Sequence, residues 1–453
     1  AKLRKIESPK LVGWNRSGSE LQQEIGDFFR FNEKSMKKVQ DQPEEKDWDH
    51  KKLGRELDLF TFSDTVGKGL PLWTPKGAAI RREVERFIVD EEIKRGYDHV
   101  YTPDIAKLEL YEKSGHYPYY KDSMYSPIEI EDEKFMLRPM TCPHHFELFL
   151  SKPRSYRELP LRYAELAKLY RFEKSGELMG LLRVRSFCLA DSHIICSKDQ
   201  AEDEAIKVLE LIDYAAKIFG LEKNKDYHYR LSLGDRKDDN KKYFKDDKAW
   251  DHAEEVLRSV LKKDGSKFVE APGEAAFYGP KIDVQMVNAN GKEDTAFTVQ
   301  YDFVMPKRFK LEYINDKGEM EEAVVVHRSS IGAIERSIAF LIEKYKGDFP
   351  LWLSPVQVSI LPITERNVDY ANKVANSLKD ERIRVEIDDR NETLQAKIRD
   401  AQMQKVPYSF IVGDREEKDS KVAVRKRGQD IGVKDLDEFI KAIKKEIAEK
   451  TVN

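Results

Sequence analysis

The chain has 453 residues, enough for two or three domains with a core each, and 36% of them are charged. Eighty Lys and Arg stand against 83 Asp and Glu, a formal charge of −3. That excludes a polybasic protein held to its partner by bulk charge, while local basic grooves remain open. No apolar run nears the roughly 20 residues that span a bilayer. Three cysteines, Cys142, Cys188 and Cys196, make no disulfide framework, so a reducing compartment is expected. The opening AKLRKIESPK is no signal peptide; a transit peptide or upstream domain already removed stays open.

In chain order, residues 1–45 are polar and weakly periodic, and DQPEEKDWDHKKLGRELDLF closes them as a charged helix or linker. From about residue 70 to 350, strands and helices mix without the steady alternation of a doubly wound fold. Ser197 with Gln200 reads as a capping box opening the helix AEDEAIKVLELIDYAAKIFG, which ends at Gly220. KIDVQMV and TAFTVQYDF alternate with period two around Asn290-Gly291 and predict an antiparallel hairpin. GDFPLWLSP reads as a domain joint. Beyond it VQVSILPI, RIRVEIDD, YSFIVG and KVAVRKR are short strands, with helices at 364–381, 393–405 and 434–449. They predict an α/β domain of about 100 residues. Its 20 basic and 19 acidic side chains over 351–453 require any nucleic-acid binding there to rest on specific contacts.

RVRSFCLADSHII, residues 183–195, carries the strongest chemical pattern. As a strand it puts Arg183, Arg185, Phe187, Leu189, Asp191 and His193 on one face. Such a row is an odd core face, but it suits the floor of an anionic, aromatic ligand site. From Phe187 to His193 it runs about 20 Å at roughly 3.3 Å per residue, near the length of a nucleotide with a small group attached. An exposed amphipathic strand is the alternative. Upstream, Arg171 and Glu173 share a face at i and i+2, an arginine fork for phosphate beside a carboxylate for an amine or metal, or else a surface ion pair. Downstream, VVVHRSSIGAIERSIAFLIEKY is a strand running into a helix, with Ile331, Ile334, Ile338 and Leu341 inward. Arg336 sits one to two turns in, and Gly332 leaves room for a ligand near the backbone. In RPMTCPHHF, Cys142 stands three residues before His145 and suggests a metal whose remaining ligands lie elsewhere.

Arg171, Phe172 and Glu173, the strand with Phe187, and Gly332 to Arg336 resemble motifs 2 and 3 of class II aminoacyl-tRNA synthetases. GYDHVYTPDI, with Pro103 in a strand after a long helix, resembles motif 1. Within that class SGHYPYYKDSMY, RPMTCPHH, LPLRYAELAKLYRFEKSGELMGLLRVRSF, AFYGPKID, FTVQYDF, VVVHRSSIGAIER and KVPYSFIVGDRE resemble, in order, the threonyl-tRNA synthetase family over about residues 48–450.

The resemblance implies an α+β catalytic domain at 48–350 built on an antiparallel sheet, after an N-terminal extension at 1–47. A small α/β anticodon-binding domain at 351–453 would follow. It implies a cytoplasmic threonine–tRNA ligase that activates threonine with ATP and Mg²⁺, passes it to tRNA(Thr), and dimerises through motif 1. Cys142, His193 and His327 would bind one zinc with a position open for substrate, while His145 packs or hydrogen-bonds. Asp191, Tyr278 and Lys281 would line the threonine pocket. ATP would lie on Phe187 with Arg171, Arg183 and Arg336 on its phosphates, Glu173 near the adenine amine, and Thr298 and Gln300 completing the site. His116 is the family's candidate base for transfer, and Asn391, Glu416 and Arg425 match anticodon-contacting positions. The family's editing domain lies upstream, and about 45 residues leave no room for it, so seryl-tRNA is expected to persist. Leu189 departs from the glutamine often found there. A zinc hydrolase and a synthetase-like RNA-binding protein without catalysis are the rival readings.

Overall fold

The computed structural model describes residues 48–237, 242–289 and 291–452; the expected extension at 1–47 lies outside them. Helix α1 (His50–Glu56) is capped by Asp49, whose carboxylate accepts from the Lys51 amide. Helix α2 (Pro75–Lys94) starts with Thr74 as cap and proline in its first turn, where a missing N–H costs nothing. These helices and α4 (Ala201–Ile218), α5 (Asp247–Lys263) and α6 (Ile334–Tyr345) contribute to one apolar core against an eight-stranded sheet.

In chain order the strands are β1 (Asp98–His99), β2 (Leu161–Tyr170), β3 (Ser186–Cys196), β4 (Tyr227–Leu233), β5 (Phe268–Pro272), β6 (Lys281–Val287), β7 (Glu293–Asp302) and β8 (Val324–Ala333). Their spatial order is β5-β4-β6-β7-β8-β3-β2-β1. The interior is antiparallel, while the edge pairs β5–β4 and β1–β2 are parallel. The expected hairpin is β6–β7, with a bulge at Val284/Gln285. The capping box at Ser197 and Gln200 forms ahead of α4, and Gly220 beyond the helix has φ +67°. That left-handed backbone suits glycine.

Several boundaries differ from expectation. The strand of GYDHVYTPDI is only Asp98–His99, so Pro103 lies beyond it. Strand β3 begins at Ser186 because a tight turn, with the Leu182 and Arg183 amides both donating to the Met179 carbonyl, precedes it. Arg183 and Arg185 therefore stand outside the alternation. Arg171 and Glu173 follow the end of β2 instead of sharing its face.

After the joint, β9 (Val358–Pro362), β10 (Val385–Ile387), β11 (Tyr408–Val412), β12 (Lys421–Lys426) and β13 (Gln429–Asp435) form a sheet ordered β10-β9-β11-β12-β13. It has its own core, packed by α7 (Val368–Asp380) and α10 (Leu436–Ala448). Helix α8 (Leu394–Met403) fills the expected place. Helix α9 (Asp414–Asp419) and strand β13 were not expected.

Candidate active site

Strand register gathers the polar residues into rows on one face of the large sheet. His193 on β3 pairs with His327 on β8, His327 with Gln300 on β7, and Gln300 with Lys281 on β6. Two residues along, Asp191 pairs with Ser329 and Ser329 with Thr298. Leu189 and Phe187 extend the β3 row, since side chains two apart share a face. The other face of β3 gives Cys188, Ala190, Ile194 and Cys196 to the main core.

Cys142 opens helix α3 (Cys142–Leu150) and meets this row: it, His193 and His327 are buried, with ligand atoms all within 4.8 Å of one another. Each imidazole is held from behind. His193 Nδ1 lies 2.8 Å from His145 Nδ1, and His327 Nε2 lies 2.7 Å from Asp302 Oδ2, which leaves the other nitrogen of each ring for a ligand. His145 in turn reaches Glu165 at 3.3 Å, so the histidine one helical turn past Cys142 supports the cluster from outside it. His144 packs beside Tyr111, ring centroids 6.3 Å apart. Burial, then His327 and His145, holds His193 well below the usual imidazole range, hence neutral. Burial, then Asp191 and Asp302, holds the Cys142 thiol well up; a divalent cation reverses that balance. One sulfur and two imidazole nitrogens, braced from behind and facing a cavity, fit a tetrahedral zinc with an open position.

That cavity, about 340 Å³, is lined by Cys142, His193, His327, Asp191, Tyr278 and His116, among others. Burial raises the Asp191 carboxyl. The Tyr278 ring stacks on His327 at 5.0 Å, and its hydroxyl donates to Gln300 Oε1 at 2.6 Å. Gln300 Nε2 donates to Thr298 at 3.1 Å. His116 is buried, its Nδ1 2.7 Å from Ser114 Oγ; burial, then His327, Arg308 and Arg171, keeps it neutral.

A second cavity of about 240 Å³ holds Arg171, Arg183, Arg336, Phe187 and Glu173 in its walls. It shares Arg171, Glu173, Leu189, Thr298, Gln300 and Ser329 with the first, so the two adjoin. Arg171 lies over the Phe187 ring at 5.1 Å, and Glu173 approaches Arg183 at 4.0 Å. Burial holds Arg336 below its ordinary range; Asp294 opposes this, and Arg171 and Arg183 add to it. Three guanidinium groups around one space favour a polyanion there.

Lys281 departs from expectation and lines neither cavity. It lies two strands from His327 in the row, roughly 10 Å at sheet spacing, and its ammonium pairs with buried Asp283. Gly332, with φ +68°, accommodates the Ala296 carbonyl, which an added Cβ would meet at 2.1 Å, so the close approach is by a neighbouring strand. Asn391, Glu416 and Arg425 lie on the small domain, outside both cavities. Asn391 is exposed, Glu416 caps the Gly413 amide at 3.0 Å, and Arg425 donates to the Gly428 carbonyl at 2.7 Å. Sequence reasoning missed Asp302 and Glu165, which brace the histidines. Asp302 shares the alternation of Gln300 two residues before it, and that was the available signal.

The sheet, the braced metal-ligand cluster and the arginine-walled cavity define a class II aminoacyl-tRNA synthetase core. In agreement, the tRNA synthetase class II core domain (G, H, P, S and T) matches residues 125–345, and an anticodon binding domain matches 357–446. A threonine–tRNA ligase of Geobacillus sp. strain WCH70 is 49% identical over 429 residues, 94% of this chain and 66% of that protein. One from Streptococcus thermophilus is 48% identical over 439 residues, 96% of this chain and 67% of that protein. The crystal structure of the RNA binding domain of threonyl-tRNA synthetase from Cryptosporidium parvum Iowa II superposes with a TM-score of 0.82 at 35% identity, covering 88% of this chain and 98% of that one. The chain belongs to the threonyl-tRNA synthetase family. It spans about two thirds of the length of the bacterial relatives.

Proposed function

We propose that the chain is an ATP-dependent threonine–tRNA ligase. The observation that carries this reading is that the Cys142–His193–His327 cavity and the three-arginine cavity adjoin, with six wall residues in common. Zinc on those three residues would supply a Lewis-acid grip on the amino and hydroxyl groups of threonine. Asp191 then accepts from them, and Tyr278 closes the pocket. ATP arrives with Mg²⁺ and rests against Phe187, with Glu173, Thr298 and Gln300 as its polar contacts. Arg171, Arg183 and Arg336 offset charge on the phosphates as the threonine carboxylate attacks the α-phosphate in line and pyrophosphate leaves. A terminal ribose hydroxyl of tRNA(Thr) then attacks the carbonyl carbon of the threonyl-adenylate; the acyl–phosphate bond breaks, AMP leaves and the threonyl ester forms. His116 is the proposed proton acceptor for that step, its Nδ1 side fixed by Ser114.

Asn391, Glu416 and Arg425 are the proposed anticodon contacts. A homodimer through the segment around β1 fits the exposure of Tyr101, 94%, beside that edge strand. Among the described residues no helix is long and apolar enough to cross a membrane; we propose a cytoplasmic location. A zinc hydrolase has no use for the arginine cavity, and an inactive RNA-binding relative has no need of Arg171, Glu173 and Arg336 together. Charging of tRNA(Thr) with labelled threonine tests the reading: threonyl-tRNA should accumulate with ATP and Mg²⁺, and its absence overturns the proposal.

A further inference from the structure

Buried Asp49 and His50 and the partly buried Glu343 form a second cluster whose ligand-type atoms lie within 4.8 Å of one another. Both His50 nitrogens are engaged by the protein, so the cluster is a clamp and not a metal site. His50 Nε2 accepts the Leu181 N–H at 3.1 Å, and Nδ1 lies 2.7 Å from Glu343 Oε1. A backbone amide only donates, so Nε2 must be bare and Nδ1 must carry the proton it gives to Glu343. The other Glu343 oxygen accepts the Ala289 amide at 2.7 Å. One imidazole thus ties α1, α6 and the β6–β7 turn to the turn ahead of β3.

That turn is a wall of the arginine cavity: Leu181, Leu182, Arg183 and Val184 all line it. The Leu182 carbonyl, one residue past the His50 contact, accepts from Arg336 Nε at 3.1 Å. Gly180 makes the approach possible: it has φ +49°, and an added Cβ would stand 2.2 Å from His50 Nε2. We propose that His50, outside both cavities, is a positioning residue for ATP: by holding the Leu181 amide it fixes the turn that sets Arg183 and orients Arg336. This rests on the ATP site proposed above.

The test is ATP–pyrophosphate exchange by the full chain with His50→Ala, His50→Gln and Gly180→Ala. Loss of one buried hydrogen bond should raise the ATP KM about tenfold in His50→Ala. The threonine KM should stay within about twofold of wild type and bound zinc unchanged, because the metal cluster lies on other segments. Glutamine can still accept from Leu181, so His50→Gln should recover most of the loss. Gly180→Ala, which keeps the histidine and displaces it, should reproduce the alanine phenotype and serves if His50→Ala fails to fold. An unchanged ATP KM, or parallel rises in both KM values, in variants of an active wild type overturns this inference alone. A wild type without threonine-dependent exchange overturns the parent activity instead.

Discussion

Cys142 and His145 stand three residues apart, yet the thiol joins His193 and His327 while His145 braces His193 from behind. The reason is geometric: on a helix beginning at Cys142, the sheet below supplies histidines in register at the thiol, and His145 faces Glu165. The strand rows are held by backbone pairing whatever fills the cluster, so Cys142→Ala should leave a folded protein. Metal analysis should show about one zinc per chain in the wild type and a marked loss in the variant. Threonine activation should vanish with it; zinc-free, fully active enzyme would contradict this. Leu189 lies in the walls of both cavities, where it offers apolar contact and no hydrogen bond. Leu189→Gln should shift threonine affinity by about 1 kcal/mol, the scale of one neutral hydrogen bond. Binding of a threonyl-adenylate analogue reads that shift, and identical affinities would mean the side chain touches no ligand.

At the scale of elements, the run from Phe187 to His193 was legible because one side of β3 is core and the other is cavity, which period two records directly. The flanking arginines were not, because the turn bonded to Met179 breaks the alternation before Ser186. Helix α9 is six residues of mostly charge, and β13 is largely exposed, so neither leaves an apolar period to read. The metal set was beyond spacing arguments, since its ligands come from α3, β3 and β8; the family resemblance alone assembled it. Gly332 was noticed, but its neighbour is the Ala296 carbonyl on the adjacent strand. Gly332→Ala should therefore act through the sheet: a left-handed backbone and a 2.1 Å encounter with a carbonyl together cost about 2 kcal/mol or more. Thermal unfolding measures that cost, and an unchanged Tm would show that the strands part freely there.

Across the whole molecule, the small domain is bound to the large one by specific polar contacts. Arg384 donates to the Trp352 and Ser354 carbonyls and pairs with Glu83 at 2.9 Å, and burial lowers its pKa to about 10. Deleting the domain would take the Arg384 partner away from Glu83, so point changes separate its roles better. Arg425 braces the β12–β13 turn through Gly428 and lies outside both cavities. Arg425→Ala should raise the tRNA KM and leave the threonine KM in exchange unchanged; equal losses in both reactions would make the domain structural for the active site. A braced sulfur–nitrogen metal cluster beside an ATP cavity should select an amino acid bearing both an amine and a hydroxyl. ATP–pyrophosphate exchange across the amino acids reads that selection. Threonine should drive exchange, and serine measurably so, since it loses one methyl worth about 1 kcal/mol. Valine should not, because it leaves a buried polar site unfilled. Exchange driven by valine as well as by threonine, or by neither threonine nor serine, would contradict the account.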